Sequence, residues 1–220
     1  MTVAVDTRTL VEIHLEGDCE TSSHCAALAK QLHEQLDSGA YRWPCSALEL
    51  PESLGAYLVE RRTARKRANQ AQRLGYRFER IDRSLFEQDV FEINTSAPER
   101  QGRPMSAGYL QPVTFSPLPD YTCPRHGIHT YGVLDAGGSL RAYTWVYRVG
   151  ELVMFSSILG HADHLEREIM YLLMVGALGV EITEHGPGVA WYNRHDSGTE
   201  GLRFFKERCG FRPVECRWHL

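Results

Sequence analysis

The chain of 220 residues lacks the features that mark several common classes of protein. No apolar run approaches the roughly 20 residues that a membrane-spanning helix needs, and the N-terminal residues do not show the basic-then-apolar order of a signal peptide. Its cysteines are few and scattered, in a chain too large to depend on disulfides for its stability. We therefore expect a cytoplasmic protein with reduced thiols and no membrane partner.

The composition is that of a globular protein whose charge is unevenly distributed. Hydrophobic residues make up 43% of the chain and charged residues 24%, which suits one domain, or one domain plus an appendage. The net charge is −4, yet residues 61–83 carry +7 and the remainder carries −11. A concentrated basic field of this kind is typical of a segment that binds a polyanion.

Helical and strand patterns are interspersed along the chain, and three consecutive strands form an antiparallel meander. This order predicts an α/β fold with a mixed sheet. Helices are predicted over residues 21–36, with Thr21 and Ser22 as cap candidates, and over 51–74, 84–93, 162–178 and 198–209. Strands are predicted over residues 10–15, 76–81, 129–134, 140–148, 151–159, 189–193 and 211–218.

Two segments carry a resemblance to a known family. The basic stretch RRTARKRANQAQRLGYRF resembles the Arg-rich helix that opens a GNAT-like unit in Fem-type aminoacyl-tRNA-dependent transferases, and SGTEGLRFFKERCGF is similar to that family's closing motif. The resemblance implies a GNAT-like acyltransferase domain over residues 57–220, with a mostly antiparallel sheet flanked by helices. Residues 1–56 are then an N-terminal strand and helix extension. Family members often have two such units, and this chain has room for one.

The segment that would hold a coenzyme A donor is unusual. A standard acetyl-CoA enzyme of this fold has a Gly-rich loop whose backbone N–H groups cradle the pyrophosphate at a helix N-terminus. The corresponding residues here, ILGHADHLEREIMYLL, contain one glycine and several acidic side chains. Together with the basic segment, this favours a tRNA-borne donor over coenzyme A.

Candidate catalytic residues follow from the closing motif and from the strand before it. Resemblance to the Fem family implies that Lys206 stabilises the oxyanion and that Phe205 lines the donor end. Tyr192, Asn193 and His195 lie where a strand ends and the last helix begins, and His195 could take a proton from the attacking ammonium. The alternative is that Tyr192 packs in the core and the polar residues after it cap the helix.

Two further segments are candidate binding surfaces. The basic helix contains no acid between residues 61 and 74 to pair at i, i+4, which favours binding of the donor tRNA backbone. The donor-binding candidates on it are Arg61, Arg62, Arg65 and Lys66. The loop 95–103 offers Ser96, Arg100 and Arg103 for the acceptor or a terminal adenosine. A solvated helix face and a solvated loop are the alternatives.

The sequence contains two loose groups of metal-ligand residues. One is Cys123, His126 and His129, and the other is Cys19, His24 and Cys25. Neither shows the paired spacing of a structural zinc finger, so we expect no metal and no other cofactor.

These observations lead to one leading hypothesis and two alternatives. We expect an aminoacyl-tRNA-dependent N-acyltransferase that forms an amide bond on a small peptide or on the amine of an antibiotic or cell-wall precursor. The first alternative is an N-acetyltransferase that uses acetyl-CoA. The second is a non-catalytic RNA-binding module.

Overall fold

The computed structural model of the protein describes residues 9–16, 23–39, 41–119, 121 and 123–220, so Cys19, Thr21 and Ser22 lie outside the described residues. The α-helices are α1 (Ser23–Leu36), α2 (Leu54–Glu60), α3 (Arg62–Arg73), α4 (Glu87–Thr95), α5 (Ile169–Glu184) and α6 (Glu200–Cys209). The strands are β1 (Leu10–His14), β2 (Cys45–Glu49), β3 (Arg77–Arg80), β4 (Glu99–Arg100), β5 (Arg103–Pro104), β6 (His126–Leu134), β7 (Leu140–Val149), β8 (Leu152–Gly160), β9 (Val189–Arg194) and β10 (Arg212–His219).

Eight of these strands form one sheet in the order β1-β10-β2-β9-β8-β7-β6-β3, and β4 and β5 form a separate hairpin. The β1–β10 and β8–β9 pairs are parallel, and the other neighbours are antiparallel. The predicted fold class, a mixed and mostly antiparallel sheet flanked by helices, is confirmed. None of the helices in the described part of the chain combines the length and apolar character that crossing a bilayer requires.

The N-terminal residues contribute two strands to this sheet. β1 pairs with β10, and β2 lies between β10 and β9. The sequence pattern did not predict β2, because its five residues lie between Pro44 and Pro51 in a stretch that is typical of turns. The described residues before 57 therefore complete the sheet.

The helices cover both faces of the sheet. Helices α2, α3, α5 and α6 pack on one face, and α1 and α4 pack on the other. Strand β9 shows the alternation clearly, because Ala190 and Tyr192 belong to the first core and Val189 and Trp191 to the second. Tyr192 thus reaches the α5 and α6 side at the end of a central strand.

Two helices differ from the prediction. The region predicted as one helix over 51–74 bends at Arg61, whose backbone (φ −102°, ψ 49°) separates α2 from α3. Arg61 lies against Gly210, where an added Cβ would be 2.7 Å from the arginine Nε. Helix α5 begins at Ile169 because Ala162–Arg167 forms a 3₁₀ turn and Glu168 is left-handed, with φ 63°. The break between α2 and α3 thus coincides with a tertiary contact of Arg61. The later start of α5 coincides with the left-handed backbone of Glu168.

Candidate active site

The central parallel pair, β8 and β9, separates part-way along its length. Pairing begins at Leu152–Val189 and ends at Met154–Trp191, although β8 continues to Gly160 and β9 to Arg194. Two adjoining pockets of about 350 and 400 Å³ occupy the space where the strands diverge. Volumes in this range suit a small ligand or the reacting end of a larger one.

The two pockets meet at a common wall and extend from it toward different helices. The first reaches Gln35 and Tyr41 near α1, and the second reaches Thr199 and Phe205 on the α6 side. The residues that line both are Gln101, Ile158, Leu159, Tyr192 and Leu202. The cleft therefore gives access to the shared wall from two directions.

A β-bulge shapes the β8 side of the cleft. Ser156 lies opposite Trp145 and Leu159 opposite Tyr143, so two residues of β8 face one residue of β7. One of the two, Ser157, has φ 45° and lines the first pocket. Sequence reasoning missed Ser156 and Ser157, because an SS pair inside an apolar strand gives no signal that the strand changes register.

Three more residues that line the cleft were also missed from the sequence. Gln101 comes from the turn between β4 and β5, Tyr109 from the turn that follows, and Trp191 from β9. Their positions depend on how the 95–110 segment folds over the sheet, which no local pattern encodes.

Tyr192 lies at the centre of the shared wall. Its ring contacts the rings of Phe205 and Phe211, and the residue is only 9% exposed. The Tyr192 hydroxyl makes no hydrogen bond with any described residue. Burial raises the pKa of Tyr192 above its ordinary value, so the phenol stays protonated at neutral pH and can donate a hydrogen bond to a ligand.

Of the two other residues predicted near Tyr192, Asn193 lines the first pocket and His195 is buried outside both pockets. Asn193 lines the first pocket in a left-handed conformation, with φ 56°. His195 lines neither pocket, because it is buried between Ser46 Oγ, 3.2 Å from its Nδ1, and Glu207 Oε1, 3.4 Å from its Nε2. Burial lowers the pKa of His195, which keeps the imidazole neutral.

Lys206 is completely buried behind the cleft. Its ammonium donates hydrogen bonds to the Arg194 carbonyl at 2.5 Å and to Ser197 Oγ at 3.2 Å, and lies 4.9 Å from the centroid of the Tyr192 ring. Burial lowers the pKa of Lys206 to about 8. The ammonium lines neither pocket, whereas Ser197 lines the first. Lys206 thus supports the turn that forms one wall of the cleft.

The predicted acceptor residues form a structural network beside the second pocket. The Arg100 guanidinium donates to the carbonyls of Ile93 and Gly160 and to Ser96 Oγ, at 2.7 to 2.8 Å. Ser96 Oγ also accepts a hydrogen bond from the Ala162 N–H. This network ties the end of α4 to the end of β8, and Arg100 lines the second pocket. Arg103 is exposed on β5 and lines neither pocket.

An acidic side chain stands at the start of α5. Glu168, the N-cap residue, forms an ion pair with Arg67 of α3, and Arg67 lies 5.3 Å from the centroid of the Tyr171 ring. Tyr171 in turn packs on Phe205, which lines the second pocket. The Glu168 side chain makes no capping hydrogen bond to α5, so its carboxylate lies beside the helix N-terminus and is held there by Arg67.

Helix α3 presents unpaired cations to solvent beside this ion pair. Its buried face consists of Ala64, Ala68 and Ala71. Arg62, Arg65 and Lys66 are exposed and form no ion pair with described residues, and Arg61 pairs with Glu60 at 3.2 Å. The predicted donor-binding residues therefore lie together on α3 and at its start.

No protein-family model and no curated sequence matches the chain. Solved structures do match. FemX aligns with a TM-score of 0.58 at 11% identity, over 81% of this chain and 61% of that protein. L-PGS from Bacillus licheniformis aligns with a TM-score of 0.51 at 14% identity, over 78% and 58%. The chain has a GNAT-like fold. The C-terminal domain of a putative lysylphosphatidylglycerol synthetase from Agrobacterium fabrum aligns with a TM-score of 0.50 at 16% identity, over 87% and 62%.

The GNAT-like fold confirms the resemblance drawn from the two sequence motifs. The chain spans about three fifths of the length of these solved proteins. Within the fold, the second pocket of the cleft lies between α5, which contributes Met170, and α6, which contributes Leu202 and Phe205.

Proposed function

We propose that this protein is an N-acyltransferase that takes its acyl group from an aminoacyl-tRNA. The observation that carries the proposal is the Arg67–Glu168 pair, which joins the basic helix α3 to the acidic start of α5. A carboxylate beside this helix N-terminus disfavours the pyrophosphate of coenzyme A, although Arg67 offsets part of its charge, while the unpaired cations of α3 attract a nucleic-acid backbone. The region where α3 meets the start of α5 thus disfavours coenzyme A as the donor and favours an aminoacyl-tRNA.

In this proposal the two pockets bind different substrates. The second pocket is the one lined by Phe205, which packs against Tyr171 beside the Arg67–Glu168 pair, so the acyl end of the donor enters there. The first pocket, lined by Asn193 and Tyr41, receives the amine acceptor from the α1 side. The two substrates meet at the shared wall, where Tyr192 lies.

The reaction exchanges an ester for an amide. The acceptor amine attacks the ester carbonyl, a C–N bond forms, the C–O bond to the terminal ribose breaks, and the proton lost by the amine is transferred to the ribose oxygen. Tyr192, whose phenol is protonated at neutral pH, donates a hydrogen bond to the developing oxyanion. Because the ester is already activated, positioning and one such hydrogen bond supply most of the protein's contribution.

Lys206 acts in this proposal as a positioning residue. Its hydrogen bonds to the Arg194 carbonyl and Ser197 Oγ fix the turn that follows Asn193, and its ammonium lies below the Tyr192 ring. A direct contact between Lys206 and the oxyanion, as the family resemblance implies, remains a prediction.

One similar structure gives further support. The name lysylphosphatidylglycerol synthetase describes an aminoacyl group joined to an acceptor. For this protein we propose transfer of an aminoacyl group as well, but with a small peptide or amine as the acceptor. We also propose that the protein is located in the cytoplasm.

The test is transfer of radiolabel to a mixture of small peptides and amines. One reaction contains a pool of charged tRNAs, a second contains the same pool after ribonuclease treatment, and a third contains acetyl-CoA. We expect transfer from the intact pool alone. Transfer from acetyl-CoA would refute the tRNA donor, and salt-sensitive tRNA binding without transfer to any amine would refute catalysis.

Two variants separate binding from chemistry. Tyr192→Phe should lower turnover by about 100- to 1000-fold and leave tRNA affinity unchanged. Arg62→Ala combined with Lys66→Ala should weaken tRNA binding and reduce its salt slope by about 2. The matched control is Lys30→Ala with Arg217→Ala, which removes the same charge from exposed positions on α1 and β10. Equal losses from the two double variants would contradict a docking role for α3.

A further inference from the structure

Two groups of metal-ligand residues that are far apart in the sequence meet at one end of the sheet. Cys25, near the start of α1, lies beside Cys123 and His126, which precede and begin β6. The two Sγ atoms and a ring nitrogen of His126 lie within 4.8 Å of one another. His129, which the sequence grouped with Cys123 and His126, bonds instead to Glu181 through Nδ1 at 2.7 Å.

The orientation of His126 is that of a metal ligand. Its Nδ1 lies 3.3 Å from Cys123 Sγ, and its Nε2 bonds to the Glu16 carbonyl. A carbonyl can only accept, so Nε2 carries the proton and Nδ1 directs its lone pair toward the sulfur atoms. A backbone carbonyl that fixes the tautomer in this way is the usual outer partner of a zinc-bound histidine.

We propose that Cys25, Cys123 and His126 bind a zinc ion. Two thiolates and a neutral imidazole form a donor set that suits Zn²⁺, and two thiolate charges balance the charge of the ion. Zinc bonds of about 2.3 Å to sulfur and about 2.0 Å to nitrogen place the ligand atoms between about 3.5 and 4 Å apart. The distance of 3.3 Å between Cys123 Sγ and His126 Nδ1 is close to this range, and the other ligand atoms, all within 4.8 Å of one another, need at most a small contraction.

Three protein ligands leave the fourth coordination position of the zinc ion to a water molecule, and the burial of the three residues leaves an entry path for both. Cys25 and His126 are buried, whereas Cys123 is partly exposed at the surface. The ion would join the start of α1 to the start of β6, where Arg125 already pairs with Glu16. Its role is therefore to fasten the N-terminal elements to the meander, away from the proposed active site.

The test measures metal directly on protein purified without a polyhistidine tag. We expect one zinc per chain by elemental mass spectrometry, and a thiolate-to-cobalt charge-transfer band after cobalt replaces zinc. Cys123→Ala should abolish both signals. Cys209→Ala, which alters a buried thiol in the other core, should retain both.

Thermal unfolding gives a second readout. Removal of zinc by a chelator should lower the Tm of the unaltered chain and leave the Tm of Cys123→Ala unchanged. A purified chain without metal that binds no added zinc, zinc retained in Cys123→Ala, or a Cys25–Cys123 disulfide in the isolated protein would each overturn the proposal.

Discussion

The β8–β9 pair is closed by neighbouring chain segments at one end and opens into the cleft at the other. At the end where pairing begins, neighbouring chain segments close the structure: the Val189 N–H donates to the Glu151 carbonyl, and the Glu151 N–H donates to the His14 carbonyl. At the other end the strands part after Met154–Trp191, and pockets fill the gap. The same strand pair therefore contacts the N-terminal strand at one end and opens the cleft at the other.

The polar groups at the two ends of the β8–β9 pair also differ in their hydrogen-bond partners. At the closed end Glu181 is fully buried and accepts hydrogen bonds from Tyr131 and His129, with Arg148 3.8 Å away. These interactions hold the pKa of Glu181 below its ordinary value despite burial. At the open end Tyr192 has no such partner among the described residues. Glu181 Oε1 thus has two partners within the protein, although Glu181 Oε2 and Arg148 Nη1 beside it make no hydrogen bond with described residues, whereas the Tyr192 hydroxyl faces the cleft.

The largest expected effect comes from disturbing the closed end. Gly150 has φ 57°, and an added Cβ would lie 2.5 Å from the His14 carbonyl oxygen and 2.7 Å from the Glu16 nitrogen. We expect Gly150→Ala to lower the free energy of unfolding by about 4 kcal/mol, about 1 from the backbone and about 3 from the clash. Urea denaturation measures this loss.

Gly138→Ala is the control, since Gly138 also has positive φ but an added Cβ meets nothing within 4 Å. It should lose only about 1 kcal/mol. Similar losses for the two variants would show that the contact between the β7–β8 turn and the end of β1 contributes little.

The next effect concerns the open end and depends on pH. Burial lowers the pKa of Lys206 from 10.5 to about 8, so between these values the unfolded chain binds more protons than the folded chain. The free energy of unfolding should therefore rise with pH across this window, by about 3 kcal/mol relative to Lys206→Met. Below pH 8 the difference between the two proteins should be constant. Stability curves that stay parallel from pH 7 to above 10 would refute the burial of this ammonium.

The smallest effect tests the bulge at the cleft. Ser157 is left-handed and Ser156 is not, so the same substitution at the two positions isolates the backbone strain. Ser157→Gly should be more stable than Ser156→Gly by about 1 kcal/mol in urea denaturation. Equal stabilities would indicate that the bulge stores no strain at Ser157.

Local patterns predicted much of the architecture. The meander and the closing helix and strand follow from apolar periodicity, and the resemblance of the two motifs to a known family implies the GNAT-like class. The structure confirms the fold class. Strand β2 could not be predicted, because five residues between prolines acquire their strand conformation only by inserting between β9 and β10. The bend at Arg61 was not predicted either, and there Arg61 packs against Gly210, which is remote in the sequence.

The candidate site was predicted in part. The sequence identified Tyr192, Asn193, Phe205 and Arg100, all of which line the cleft. It could not show that Lys206 and His195 point into the layer behind, because residue type and spacing do not fix which side of a turn a side chain occupies. Gln101 and the two serines of β8 reach the cleft only through a hairpin and a bulge.

The sequence by itself determined the succession of helices and strands, the basic face of α3 and the absence of a glycine-rich donor loop, because these depend on residues that are close in the chain. Only the tertiary structure decided where β8 and β9 separate, which polar groups remain open to a ligand, and that Cys25 meets Cys123 and His126. Those outcomes depend on strand pairing and packing between distant segments, where burial and steric fit outweigh local preference.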